Sequence, residues 1–298
     1  MIKNLVLSGG AYLGLIQFGV LKQLQASGFY NIKNIEKIYG TSIGGFIGAM
    51  LCLKININDL TENFTDRPWQ NLLKFNPSIL SDFYLKKGII DKSICKKATH
   101  NLLESVDLSC DITLQELYNY SNIELHFYTT SLNDFCLKDI SYKTHPNMLL
   151  LDAIYITCSI PYIFQPLEID GETYVDGGLL CNYPIQRCLE TNNKEETLGL
   201  YFYNNNNNNK NCVTNEKQQV NIENQNLLEF CYYIHMKLLE NKNEDIVIPE
   251  MKNQVKIPCD NLSMDHALDL IFNKELRRLY VENGEKIGKD FLKSMEPK

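Results

Sequence analysis

The stretch EKIYGTSIGGFIGAMLCL, from Glu36 to Leu53, contains the pattern of a complete strand-turn-helix unit. Glu36 to Tyr39 has the composition of a short β-strand, and Phe46 to Leu53 is almost wholly apolar, which predicts a helix. Between them, Gly40-Thr41-Ser42-Ile43-Gly44 fits G-x-S-x-G, the pattern of a serine on a tight strand-to-helix turn. The positive end of the helix dipole favours attack by the oxygen of Ser42, so we predict that Ser42 is a nucleophile. An ordinary glycine-rich turn is the alternative.

A second β-turn-α unit precedes this one. Ile2 to Leu7 predicts a strand, Ser8 to Gly14 a glycine turn, and Leu15 to Gln25 a helix. Backbone amides at such a turn can converge on an anion, either the oxyanion of a tetrahedral intermediate or the phosphate of a nucleotide. The nucleotide fingerprints G-x-G-x-x-G and G-K-[ST] do not fit cleanly. The serine turn that follows favours the oxyanion interpretation.

A carboxylate follows much later in the chain, at Asp176-Gly177-Gly178. It comes directly after Leu167 to Val175, where Asp170-Gly171 between two strand-like runs predicts a β-hairpin. Asp-Gly-Gly taken alone is most often a turn. Asp176 is a candidate general base only if the fold brings it within about 2.6 to 3.2 Å of the serine hydroxyl.

Strands and helices alternate over the first two thirds of the chain, which predicts an α/β fold with a mainly parallel central sheet covered on both faces. We expect one domain over residues 1–298, with the motifs in a core of residues 1–203. Residues 204–226 predict a disordered polar loop and residues 227–298 a helical region. The remaining predicted elements are the helices Asp91 to Glu104, Leu149 to Ser159, Leu227 to Leu239 and Met264 to Phe291, and the strands Glu124 to Leu132 and Thr197 to Tyr203. The connection between the last two helices includes two candidate strands, Ile246 to Pro249 and Val255 to Pro258.

Composition excludes several classes of function. The net charge of −7, from 36 acidic and 29 basic residues, provides no footprint for nucleic acid and argues against permanent binding to an anionic bilayer. The ten cysteines have no metal-ligand spacing, so we expect reduced thiols. No Ca²⁺ loop of the EF-hand kind is visible, and we expect no cofactor. The apolar run from Leu5 to Leu24 is interrupted by glycines and polar residues, and no secretory leader is visible. We expect a cytoplasmic protein without a transmembrane segment that visits membrane surfaces.

The three motifs together resemble the patatin-like phospholipase family. Ser8 to Gly14 matches its glycine-rich oxyanion loop, Gly40 to Gly44 its nucleophile elbow, and Asp176 to Gly178 the motif that carries its catalytic aspartate. Two flanking segments extend the resemblance, so that it runs from about Lys3 to Pro184. They are Ser159 to Pro166, similar to the S-x-P-x-x-F-x-P-like segment before the aspartate, and Asn182-Tyr183-Pro184, matching the N-x-P after it.

The resemblance implies a three-layer α/β/α fold and a dyad of Ser42 and Asp176 without a histidine. Ser42 would attack the ester carbonyl of a lipid while Asp176 accepts its proton, and the amides of Gly9, Gly10 and Ala11 would hold the oxyanion. Water would then release the fatty acid from the acyl-enzyme, with no metal needed. The other motif residues carried over from the family are Gly14, Gly40, Gly44, Gly177 and Gly178.

Two residues depart from the family pattern. Ala11 stands where the family has a third glycine, and Leu13 stands where it has a lysine or arginine. An alanine keeps its backbone donor without strain if its φ is negative, but the missing cation weakens electrostatic support for an oxyanion. A lipid-binding or partner-binding protein that kept the fold and lost turnover is therefore an alternative function.

Two further alternatives stay within ester chemistry. His235 and His266 both follow Asp176, in the Ser, Asp, His order of a hydrolase triad, so either histidine is a candidate catalytic base. A transacylase would use the same acyl-enzyme with an acceptor other than water.

Residues 58–90 predict a less regular segment, because Arg67-Pro68-Trp69 and Asn76-Pro77-Ser78 break the pattern. Aromatic residues between Arg67 and Gly88 are candidates for contact with a lipid surface, although packing in the core is the alternative. They are Trp69, Phe75, Phe83 and Tyr84, with Lys74, Lys86 and Lys87 nearby.

Overall fold

The computed structural model describes residues 1–72, 79–204, 248–259 and 264–296. The strands in these ranges are β1 (Asn4–Leu7), β2 (Lys37–Thr41), β3 (Glu124–Ser131), β4 (Leu137–Ile140), β5 (Leu167–Ile169), β6 (Glu172–Asp176), β7 (Thr197–Asn204) and β8 (Gln254–Cys259). The α-helices are α1 (Gly14–Ala26), α2 (Ile43–Cys52), α3 (Ile57–Asp66), α4 (Ile79–Lys86), α5 (Ser93–Glu104), α6 (Leu114–Ser121), α7 (Leu150–Thr157), α8 (Ile185–Leu189), α9 (Met264–Phe272) and α10 (Lys274–Met295).

These strands form one sheet in the order β5-β6-β3-β2-β1-β7-β8, with β4 paired to β3 beside this path. The strands β1, β2, β3, β7 and β8 are parallel to one another. The antiparallel pairs in the described part of the sheet are β3 with β4, β3 with β6, and β5 with β6. Asp170 and Gly171 both have positive φ, 53° and 79°, as the predicted hairpin turn requires. The mainly parallel α/β sheet with a local hairpin is thus confirmed.

The two faces of the sheet pack against two separate cores. Leu5 and Leu7 of β1 point into a large core shared with α1, α2, α5 and α7. Val6, on the opposite face, packs in a smaller core with Tyr39, Tyr128 and Ile185 of α8. The alternation of side chains along a strand therefore gives helices on both faces, the three-layer arrangement that the resemblance implied.

Helix α10 supports α1, the helix that follows the glycine turn. A Cβ atom on Gly284 would overlap the carbonyl oxygen of Ile16, and one on Gly19 would overlap that of Val281. Glycine at both positions lets the two helix backbones approach closely. The described part of the chain contains no helix with the length and apolarity needed to cross a membrane.

The segment from residue 58 to residue 90, predicted to be irregular, in fact contains most of α3, all of α4 and a 3-10 turn at Trp69–Asn71. Helix α3 begins after Asn56, whose side chain caps it by accepting a hydrogen bond from the amide of Asn58 at 2.8 Å. The proline at position 68 lies just beyond the end of α3. The sequence break at Arg67-Pro68-Trp69 therefore marks the end of α3.

Three further short elements, α6, α8 and β4, have no counterpart in the prediction. Helix α6 begins with a capping box, in which the Thr113 side chain accepts from the Glu116 amide and the Glu116 carboxylate accepts from the Thr113 amide. The pattern T-x-x-E at these positions is a signal that would have predicted the helix.

The helix predicted from Met264 to Phe291 is divided into α9 and α10 by Asn273, whose side chain accepts from the amide of Leu276 and caps α10. Asn204 is the last residue of β7. The rest of the predicted loop 204–226, and the predicted helix Leu227 to Leu239, lie outside the described residues.

Arg277 of α10 joins the ends of two other helices. Its buried guanidinium donates to the carbonyl oxygens of Thr65 at 2.8 Å and Arg67 at 2.9 Å, at the end of α3. It also donates to those of Leu270 at 2.6 Å and Ile271 at 3.1 Å, near the end of α9. Carbonyls in the last turn of a helix have no helical donor, so one cation satisfies several of them and complements both helix dipoles.

We expect Arg277→Met to lower the free energy of unfolding by about 2–4 kcal/mol, because it leaves buried carbonyls without donors. The matched control is Arg278→Met on the same helix, where an exposed arginine binds Asp66 through bonds of 3.0 and 2.8 Å. Loss of that surface pair should lower the free energy of unfolding much less, because solvent screens an exposed ion pair. Urea unfolding of both variants measures the difference, and equal losses would contradict the assignment.

Candidate active site

Ser42 lies alone between the end of β2 and the start of α2, as a nucleophile elbow requires. Its φ of 53° and ψ of −126° are rare for a residue with a Cβ atom, and such backbone costs of order 1–3 kcal/mol. Glycines make the turn possible: a Cβ atom on Gly40 would lie 2.5 Å from the amide nitrogen of Gly45, and one on Gly44 would overlap the Leu7 carbonyl. Ser42 is 6% exposed.

The register of the sheet brings the aspartate to this turn. Thr41, the residue before the serine, lies opposite Tyr128 of β3, and Asp176 at the end of β6 lies opposite Thr129, the next residue of β3. The Ser42 hydroxyl donates a hydrogen bond of 2.6 Å to Oδ2 of Asp176. The structure therefore joins the two predicted residues at the carboxyl end of β3, although 134 positions separate them in the chain.

The second oxygen of the carboxylate is also fixed. Oδ1 of Asp176 accepts a hydrogen bond of 2.7 Å from the amide of Gly178. Burial raises the pKa of Asp176 to about 6, although the hydrogen bonds from Ser42 and Gly178 lower it. The carboxylate is thus ionised at neutral pH but more basic than an exposed aspartate, which suits a general base.

The glycine loop lies against the serine, since a Cβ atom on Gly9 would be 3.3 Å from Cβ of Ser42. The Gly9 amide donates to the carbonyl of Asn182 at 2.9 Å, so an oxyanion would have to compete with that carbonyl for this donor. The Asn182 side chain returns a bond of 3.2 Å to the Gly9 carbonyl. The amides of Gly10 and Ala11 have no acceptor among the described residues.

The two departures from the family pattern have physical consequences. Ala11 has a φ of 47°, so the expected condition of a negative φ is not met and the residue bears strain of about 1–2 kcal/mol. A glycine would adopt this conformation freely, which explains the family's third glycine. Leu13 is 6% exposed, so a buried apolar side chain occupies the position of the family's cation.

A threonine and a cysteine beside the serine were not predicted. The Thr157 hydroxyl accepts from the Ser42 amide at 2.9 Å and donates to the Tyr128 carbonyl at 2.6 Å. Burial raises the pKa of the Cys158 thiol well above its usual range, although a hydrogen bond with Ser42 lowers it. The thiol is therefore neutral and adds no charge beside Asp176. The only sequence signal for these two residues is that they directly precede the segment Ser159 to Pro166. The carbonyl of Ser159 accepts a hydrogen bond from the Asp176 amide at 2.9 Å.

The structure does not join a histidine to this pair within the described ranges. Oδ2 of Asp176 accepts from Ser42 and Oδ1 accepts from Gly178. His266 is exposed on α9, whereas Asp176 is 4% exposed, and His235 lies outside the described residues. In the same ranges, no three His, Cys, Asp or Glu side chains are grouped so as to hold a metal ion.

Relatives with similar sequences cover about two thirds of this chain. It is 29% identical over 203 residues to an uncharacterized protein of Acanthamoeba polyphaga mimivirus, covering 67% of this chain and 65% of that protein. It is 28% identical over 196 residues to "Probable lipid hydrolase 463L" of Invertebrate iridescent virus 6, covering 65% of each. It is 27% identical to neuropathy target esterase of Drosophila grimshawi over 184 residues, which are 61% of this chain and 11% of that protein.

The chain thus spans about 65% of the length of the two viral relatives. Among solved structures, VipD from Legionella pneumophila is similar with a TM-score of 0.56 at 18% identity, over 98% of this chain and 67% of VipD. At that identity the likeness shows a shared fold.

A family model described as patatin-like phospholipase matches residues 5–189, which include the glycine loop, the elbow, the aspartate motif and the strands that bring them together. This chain belongs to the patatin-like phospholipase family.

Proposed function

We propose that this chain hydrolyses fatty-acyl esters of lipids, with Ser42 as the nucleophile and Asp176 as its general base. The observation that carries the proposal is the 2.6 Å hydrogen bond from the Ser42 hydroxyl to Oδ2 of Asp176. That distance is within the reach a general base needs. Family membership and the similarity to a protein named as a lipid hydrolase support an ester of a lipid as the substrate.

The reaction has two steps. Ser42 Oγ attacks the ester carbonyl carbon while its proton passes to Oδ2 of Asp176, and the collapsing intermediate leaves an acyl-enzyme as the alcohol takes that proton. Water then gives a proton to Asp176 and attacks the acyl carbon. The bond from that carbon to Ser42 Oγ breaks, Oγ takes the proton back from Asp176, and the fatty acid is released. The amides of Gly10 and Ala11 are our candidate oxyanion donors, and each such donor is typically worth about 2.7–4 kcal/mol. A transacylase would differ only in the second step, where another alcohol replaces water.

A membrane surface is the proposed place of action, and the exposed end of α4 supports it. Tyr84 is 83% exposed and Leu85 is 67% exposed. The chain that leaves α4 joins the segment before the aspartate, because the Ile89 amide donates to the carbonyl of Ile163 at 2.8 Å. Two apolar side chains in solvent near the catalytic segment favour contact with lipid.

Two of the other aromatic residues predicted for this contact, Trp69 and Phe83, are less exposed than Tyr84. Trp69 is half-buried against the large core, and its indole donates to the Phe64 carbonyl at 2.9 Å, so core packing applies to it. Phe83 is half-buried, and Phe75 lies outside the described residues.

A reducing, cytosol-like compartment is our proposal for where the chain meets its substrate. The eight described cysteines form no disulfide with one another. Free thiols of this kind persist where glutathione and thioredoxin keep them reduced.

The dyad is tested by Ser42→Ala and Asp176→Asn, each of which should lower kcat/KM for a chromogenic short-chain ester by about 10³-fold or more. A fluorophosphonate should label the wild-type chain and fail to label Ser42→Ala. The controls His235→Ala and His266→Ala should stay within about twofold of wild type, because the proton acceptor is a carboxylate.

Loss of hydrolysis in either histidine variant, with activity kept in Asp176→Asn, would replace the dyad with a triad. Absence of both turnover and labelling in the wild-type chain would favour the lipid-binding alternative, which the strained Ala11 and the buried Leu13 motivate.

The pH dependence follows from the buried aspartate, whose pKa is raised to about 6. Only the ionised form accepts the serine proton, so kcat/KM should be constant above about pH 7 and fall towards tenfold per unit below about pH 6. Initial rates on a neutral ester between pH 4.5 and 8.5 measure the profile, with circular dichroism to verify folding. An inflection near pH 4, the value for an exposed aspartate, would contradict the role of burial.

The membrane contact is tested by the double variant Tyr84→Ser with Leu85→Ser. We expect roughly 5- to 50-fold slower hydrolysis of phospholipid vesicles, because burial of both side chains in lipid is lost, and no change on a soluble ester. Tyr120→Ser is the matched control, since this exposed tyrosine lies on α6, which leads into the opposite, amino-terminal end of β3. Equal losses on vesicles for both variants would contradict a surface at α4.

A further inference from the structure

Thr157, the last residue of α7, connects the nucleophile elbow to the central strand β3. It is 0% exposed, and its hydroxyl lies between two backbone groups, the amide of Ser42 at 2.9 Å and the carbonyl of Tyr128 at 2.6 Å. Both partners are buried too. A polar group at such a place is costly unless every bond is made, so the arrangement is tightly specified.

The direction of both hydrogen bonds follows from which group carries a proton. The Ser42 amide is a donor and the Tyr128 carbonyl is an acceptor, so the threonine hydroxyl must accept from the first and donate to the second. Serine at position 157 could make both bonds. Valine has nearly the same shape as threonine and could make neither.

The bond acts on the residue whose backbone is strained. Ser42 has a φ of 53°, and such a conformation persists only where the surroundings hold it. On its carbonyl side, Ser42 accepts from the Phe46 amide at 3.1 Å, the first turn of α2. On its amide side, the described hydrogen bond is the one to Thr157. Thr157 therefore fixes the amide side of Ser42, whereas α2 fixes its carbonyl side.

The same turn of α7 also contacts the residue of β3 that lies opposite the aspartate. Thr129 pairs with Asp176, and its hydroxyl proton lies between two acceptors, the carbonyl of Val175 at 2.7 Å and that of Ile156 at 3.2 Å. Ile156 is the neighbour of Thr157 in α7. The end of this helix is thus bonded both to the elbow and to the strand pair that ends in the carboxylate.

We propose that Thr157 is a positioning residue that holds Ser42 in the backbone conformation from which its hydroxyl reaches Asp176. This inference rests on the proposed dyad. It adds that the amide of Ser42 is committed to Thr157 and is not an oxyanion donor. A misplaced elbow lengthens the path of the proton and misdirects the nucleophile, which lowers kcat more than it changes KM.

The experiment compares Thr157→Val with Thr157→Ser, because the first removes the hydroxyl at nearly constant shape and the second keeps it. Thr99→Val is the matched control for loss of a buried hydroxyl, since Thr99 is 0% exposed and donates within α5 to the Cys95 carbonyl at 2.8 Å. Steady-state kinetics on a soluble ester and hydrogen exchange of the peptide that contains Ser42 are measured for each variant, with Ser42→Ala assayed in parallel.

We expect Thr157→Val to lower kcat by about 10- to 100-fold with KM within about threefold of wild type, and to speed exchange of the Ser42 amide. Thr157→Ser and Thr99→Val should keep kcat within about threefold and leave that exchange unchanged. Folded Thr157→Val with wild-type kcat and exchange would overturn the proposal, as would equal losses of kcat in the serine and valine variants.

The parallel assay separates this inference from the proposed function. Activity that survives in Ser42→Ala would refute the dyad. A dead Ser42→Ala beside a fully active Thr157→Val would refute only the role of Thr157. If the wild-type chain hydrolyses no ester, exchange of the Ser42 amide still decides whether Thr157 holds the elbow.

Discussion

The register of β3 with its two neighbours, β2 and β6, brings Ser42 and Asp176 together. Tyr128 and Thr129 are consecutive residues of β3, and the first lies opposite the residue before Ser42 while the second lies opposite Asp176. A shift of either neighbouring strand by one residue would turn its side chain to the other face of the sheet. The hydrogen bond between serine and aspartate therefore exists only in this register, which the hydrophobic pattern of the buried strands enforces.

Burial then determines what the bonded pair can do. An exposed aspartate would be a weak base for a serine hydroxyl, whereas Asp176 has a pKa raised to about 6 by its buried position. Two hydrogen bonds oppose this rise and keep the carboxylate ionised and oriented, one from Ser42 and one from the Gly178 amide. In the proposed mechanism this geometry makes a third catalytic side chain unnecessary, because the carboxylate accepts directly from the Ser42 hydroxyl.

In the glycine loop that faces Ser42 and Asp176, the departure from the family pattern at Ala11 changes the strain of the backbone. Ala11 keeps its amide but holds a φ of 47°, a conformation in which a Cβ atom is strained. The neighbouring amide of Gly9 is bonded to Asn182, whose side chain bonds back to the same residue. The aspartate segment thereby holds the glycine loop in place, so that three segments distant in the chain form one bonded unit with Thr157 beneath the elbow.

The local features could be predicted from the sequence: the turn around Ser42, the hairpin at Asp170-Gly171 and the alternation that gives a parallel sheet. Each depends on residues that are neighbours in the chain, through glycine conformations and side-chain periodicity. Three other features emerge from the folded chain: the bond between Asp176 and the serine, the positive φ of Ala11 and the bond from Thr157 to the elbow. These depend on strand register and on the direction of hydrogen bonds between distant segments, and no pattern of neighbouring residues records either.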